Sequence, residues 1–83
     1  MDAQDRRTRA VRAEQLLGDE VLSAALAGLE TAAIDALASA DLSDERALQR
    51  HTARLQAARE LRADLHTMIR DGQTTERVPL AVA

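Results

Sequence analysis

Apolar residues in the middle of the chain recur at helical spacing. Val21, Leu22, Ala25, Leu26, Leu29, Ala33, Ala36 and Leu37 fall on one broad side of a helix predicted over about 19–40. Its opposite side carries Ala24, Ala27, Gly28, Thr31 and Ala38, which either tolerate solvent as good helix formers or admit a second helix at close range. A second periodic run, Leu48, Leu55, Ala58, Leu61, Leu65, Met68 and Ile69, predicts a longer helix over about 43–70. Its drifting three-and-four spacing suits helix packing better than a strict heptad. Ahead of both, Ala10, Val11, Glu14 and Leu17 give a faint stripe for a helix over about 3–17 that needs a surface to lie on.

Breaks and caps divide these segments. Asp2 is placed to cap the first helix, and Gly18 interrupts before Asp19 caps the second. Ser43 is the expected cap of the third helix, with Asp44 and Glu45 in its first turn and Leu42 stapled against Ala47. Gly72 suits a left-handed terminating position. A connection as short as 41–44 predicts that the second and third helices are antiparallel neighbours. The expected fold is all-α: an antiparallel helical hairpin with an additional N-terminal helix, one domain over 1–72. Residues 73–83 read as a polar linker and an extended apolar tail, since Pro79 forbids a helix through Val78, Leu80 and Val82.

Composition makes the core thin. The chain has 83 residues, 46% hydrophobic, yet no aromatic, and much of the apolar content is alanine. Such a chain is expected to complete its core with copies of itself or with a partner. The residues expected to hold the helix interface are Leu22, Leu26, Leu29, Leu37, Leu48, Leu55, Leu61, Leu65 and Ile69. Absence of cysteine removes disulfides, thiolate zinc sites and cysteine nucleophiles together and fits a reducing cytosol. The charged N-terminal stretch does not read as a signal peptide. Val21 to Ala40 contains only Glu30 and Asp35 as charges, but two central carboxylates cost about 2.5–3.5 kcal/mol each in a bilayer, so no membrane partner is expected.

Charge is segregated by segment. Glu14, Asp19, Glu20, Glu30, Asp35, Asp41, Asp44 and Glu45 occupy a stretch with no basic residue, and every arginine lies before or after it. Missing lysine and asparagine alongside abundant alanine and arginine fit a GC-rich coding bias, so the position of arginine is more informative than its choice over lysine. Arg46, Arg50 and Arg54 stack at i, i+4 intervals, a like-charged ridge that costs a few tenths of a kcal/mol per pair, about 0.2–0.5, unless something negative lies alongside. Helix pairing accounts for acidic and basic blocks together. Nucleic-acid binding leaves the acids unexplained, must overcome a net charge of -3, and has no aromatic residue for base stacking. The best nucleic-acid candidate is the basic leader, Arg6, Arg7, Arg9 and Arg12.

No constellation carries chemistry. His51 and His66 lack an i, i+3 or i+4 partner of metal-ligand type. His51 projects onto the apolar face as a hydrogen-bonded interface residue, and His66 reads as exposed. Glu60 and Asp64 are i, i+4, but no second pair is spaced to share a metal with them. Scattered hydroxyls form no nucleophile elbow, and Gly18, Gly28 and Gly72 form no phosphate loop. No catalytic, cofactor-binding or metal-binding residues are expected.

The run Arg12-Ala13-Glu14-Gln15-Leu16-Leu17-Gly18-Asp19, followed by Leu26 in the alanine-rich helix and by Leu61-Arg62 with Leu65, Ile69 and Gly72, resembles short helical-hairpin proteins from structural gene clusters of tailed phages and prophages. The resemblance spans roughly Ala10 to Gly72. Where those proteins read Leu-Leu-x-Asp-Pro, Glu20 stands in place of the proline, and the aromatics they carry are absent. The resemblance implies a non-enzymatic role in virion structure or head assembly, in the virion or the host cytoplasm, through contacts with itself or other virion proteins. On that reading Arg46, Arg50, Arg54, Val78, Leu80 and Val82 meet partners. The alternative is a DNA-associated factor, a small packaging subunit or regulator, with the arginine leader on phosphates.

Overall fold

The computed structural model describes residues 2–76; the expected apolar tail with Val78, Leu80 and Val82 lies outside them. The described residues are all-helical: α1 is Ala3–Leu17, α2 is Glu20–Ser39 and α3 is Glu45–Glu76, with no strand among them. The described residues divide into two compact units, one of residues 2–19 with 62–76, the other Glu20–Leu61. The unbroken helix α3 contributes to both.

In the first unit, Asp2 caps α1. Its backbone is extended, at φ -88 and ψ 175, and its Oδ1 accepts the Asp5 N–H at 2.9 Å, satisfying one of the free amides of the first turn. At the other end the Gly18 N–H donates to the Glu14 carbonyl at 3.0 Å and the Asp19 N–H to that of Leu16 at 3.1 Å. Gly18 does this at φ -84, so the turn makes no demand for a left-handed residue. Ala10, Ala13, Leu65 and Gly72 are the buried residues here.

The helix expected to stop at about residue 70 continues to Glu76, and residues 73–76 are helix rather than linker. Gly72 does not adopt a positive φ; no described glycine does. Its missing side chain serves packing instead. A Cβ at Gly72 would collide with the Ala10 Cβ and would lie 3.2 Å from the Arg6 carbonyl oxygen, so glycine lets α3 approach α1 closely. That contact overrides the local preference for ending a helix at glycine, worth only about 1 kcal/mol.

The second unit contains α2, the connection and the first part of α3, with Leu26, Ala33 and Ala58 buried. Near the end of α2 the Ser39 hydroxyl donates to the Asp35 carbonyl at 2.9 Å. Asp41 then organises the connection: its Oδ1 accepts from the Ser43 N–H at 2.9 Å and from the Ser43 hydroxyl at 2.7 Å, and its carbonyl accepts the Asp44 N–H at 2.9 Å. With the Ser43 hydroxyl committed to Asp41, capping of α3 passes to Asp44, whose Oδ1 accepts the Ala47 N–H at 3.0 Å. Ser43 is therefore not the cap. Leu42, 83% exposed, does not serve as the expected staple.

Among the described residues the buried hydrophobics are Ala10, Ala13, Leu26, Ala33, Ala58 and Leu65, so only two leucines contribute a large side chain. A fully buried leucine is worth about 1.5–3 kcal/mol, several times what an alanine methyl supplies.

Candidate protein-contact surfaces

The single-chain burial pattern separates residues that hold the units from residues that face outward. Of the expected interface set, Leu26 and Leu65 are buried, and Leu22, Leu37, Leu48, Leu55 and Ile69 are half-buried. Leu29 and Leu61 stand 47% exposed. On α2 the inner stripe is Leu22, Leu26, Ala33 and Leu37, and much of the helix outside it is apolar and uncovered: Val21 is 79% exposed and Ile34 45%, with the small Ala24, Ala25, Ala27, Gly28 and Ala32 exposed between them. One neighbour covers only a stripe of a helix, and α2 is apolar around most of its circumference. Among the described residues α2 is also the helix long and apolar enough to cross a membrane, with a mean hydropathy of 1.5. Its sequence places Glu30 and Asp35 inside that stretch.

Arg46, Arg50 and Arg54 lie exposed along α3, as do Glu60 and Asp64 further on. No side-chain hydrogen bond or ion pair joins any of these five to another described residue. The ridge expected to lie against something negative makes no ion pair among the described residues.

The basic leader is a face of α1. Arg7 is half-buried and donates to the Gln4 Oε1 at 3.2 Å, while Arg6, Arg9 and Arg12 are exposed. Arg9 and Arg12 rim a shallow groove of about 360 Å³ within the first unit, with Asp5 and Thr8 beside them and Ala13, Leu16, Leu65 and Met68 as its apolar lining. An aspartate in the groove lowers its appeal to phosphate.

His51 is half-buried, and its Nδ1 is enclosed with no hydrogen-bond partner among the described residues, so the partner expected for it is not supplied there. His66 is exposed. No cluster of three His, Cys, Asp or Glu among the described residues is placed to hold a metal ion. Hydrogen bonds from the Ser43 N–H and then from the Ser43 hydroxyl hold the Asp41 carboxyl below the usual aspartate value, and a small burial effect opposes them.

The leucines that point outward could not be separated from the inner ones in the sequence, because both classes share one broad helical side. No protein-family model matches the chain, and comparison with curated proteins and with solved structures likewise found no match.

Proposed function

We propose that this chain is a non-enzymatic assembly subunit that works through helical faces, with α2 and the first part of α3 as an antiparallel hairpin. The setting implied by its sequence resemblance is a phage virion or its head-assembly intermediates. The observation that carries this reading is α2, a twenty-residue helix with only Leu26 and Ala33 buried and with Val21, Leu29 and Ile34 exposed beside a run of small residues. Exposed apolar surface of this extent marks a contact site, and small side chains let a partner helix come close. Insertion of α2 into a bilayer would place Glu30 and Asp35 in hydrocarbon, which disfavours that use of the same surface.

Two measurements test the reading. Mass spectrometry of particles purified after induction of the encoding phage or prophage should find the chain in many copies, and its absence from both finished and immature particles would remove the virion setting. A DNA titration at low salt should show no binding. Binding that falls steeply with salt and is lost on joint replacement of Arg6, Arg7 and Arg9 by alanine would replace the assembly reading with a DNA-associated one.

A further inference from the structure

We propose that α3 pairs with the α3 of a second copy of this chain, antiparallel about a two-fold axis level with residue 55, setting Arg46 against Asp64 of the other copy and Arg50 against Glu60. This adds to the contact function proposed above and uses a different surface from the exposed side of α2.

The unbroken helix over Glu45–Glu76 fixes the relevant positions by helix geometry alone. Arg46, Arg50, Ala53, Ala57, Glu60 and Asp64 follow one another at spacings of four and three, the alternation that keeps a seam facing a partner helix. All six are exposed. At about 100° per residue the seam is centred roughly 120° around the helix from the buried Ala58, so it is not the face that closes the chain's own core.

The spacing reads the same in both directions. Reversing the helix about residue 55 lays position 46 on 64, 50 on 60 and 53 on 57, so every arginine of the seam meets a carboxylate and alanine meets alanine. The charge order completes the match: the first part of the seam is basic, the last part acidic, and the middle is small enough for close approach. Parallel pairing would set like charge on like charge. A two-fold interface requires this self-complementarity, with residue i meeting j and j meeting i. The four charged side chains have no hydrogen bond or ion pair with any described residue of their own chain.

The test uses the full chain, with sedimentation equilibrium for mass and circular dichroism to confirm helical folding. Wild type should dimerise, with an affinity that falls as salt is raised. Arg50→Glu opposes Glu60 of the other copy twice in a symmetric pair and should weaken the dimer about tenfold or more. It also relieves the Arg46–Arg50–Arg54 repulsion within the helix, so the variant should fold. Glu60→Arg should weaken the dimer similarly, and the Arg50→Glu, Glu60→Arg double variant should recover affinity close to wild type. Because the chain has no cysteine, mixed Ala53→Cys and Ala57→Cys chains should form a disulfide-linked pair faster than either chain alone. A monomer at every concentration would overturn the proposal, as would a dimer indifferent to Arg50→Glu or a double variant no better than the singles. None of these results bears on whether the chain is found in particles, so the virion reading stands or falls separately.

Discussion

Replacing Gly72 with alanine tests whether close packing, and not chain termination, explains this glycine. Inside a helix, glycine to alanine normally stabilises by about 0.8–1.0 kcal/mol through backbone entropy. At Gly72 the new Cβ would run into the Ala10 Cβ, with the Arg6 carbonyl oxygen at 3.2 Å and the Ala10 Cα at 3.7 Å. None of these atoms is the free end of a flexible side chain, so α1 or the end of α3 must shift, at about 1–3 kcal/mol for an overpacked site. The expected net effect of Gly72→Ala runs from near zero to about 2 kcal/mol of destabilisation. Gly28 supplies the comparison, because nothing lies within 4 Å of a Cβ built there. Gly28→Ala should show the uncompensated gain of about 1 kcal/mol, a rise in Tm of about 4–8 °C for a domain of this size. Both variants are followed by circular dichroism during thermal and urea unfolding at one fixed protein concentration, since association would raise the apparent stability. The double variant Ala10→Gly, Gly72→Ala restores the space, and its coupling energy should be at least about 1 kcal/mol in favour of the pair. If Gly72→Ala raises Tm as much as Gly28→Ala, the close approach of the two helices at Gly72 is wrong.

The connection offers a second set of outcomes. Asp44→Ala should destabilise by about 1 kcal/mol through loss of the α3 cap, measured by urea unfolding, and Asp44→Asn should retain most of the stability. Asp41 should titrate below the ordinary aspartate value when its side-chain carbon is followed by NMR, and Ser43→Ala should move its midpoint upward by removing one of the two hydrogen bonds. The lowered folded value means that Asp41 contributes stability above its unfolded pKa, and that this contribution disappears as pH falls through the folded pKa. Loss of stability on acidification should therefore be smaller in Asp41→Asn than in wild type. In vesicle flotation the chain should stay with the soluble fraction; co-flotation abolished by Leu29→Glu would redirect the exposed side of α2 to lipid.

Helical character was legible in the sequence because each long segment repeats its apolar residues at the period of a helix, with little β-branching and strong breaks between segments. Asp2 was legible as a cap for a local reason: its carboxylate needs only the amide of Asp5, three residues away. The candidate surface was partly legible. The arginine ridge is a property of spacing along one helix, and so is the palindromic order of Arg46, Arg50, Glu60 and Asp64.

Tertiary structure decided the rest, wherever two local choices were nearly equal in energy. One of these choices stayed local: Ser43 and Asp44 are both good caps, and the bonds from Ser43 to Asp41, two residues away, settle it for Asp44 without any long-range contact. Gly72 reads locally as a stop, but space beside Ala10 keeps it inside a helix that runs on to Glu76. Leu26 and Leu29 are equivalent in the apolar pattern, yet one is buried and the other half uncovered, because a single packing neighbour covers less of a helix than this sequence makes apolar. Periodicity along the chain thus fixes which segments are helices and what their faces carry, since those interactions are short-range. Which faces are covered depends on contacts between residues distant in sequence, and those the pattern alone does not contain.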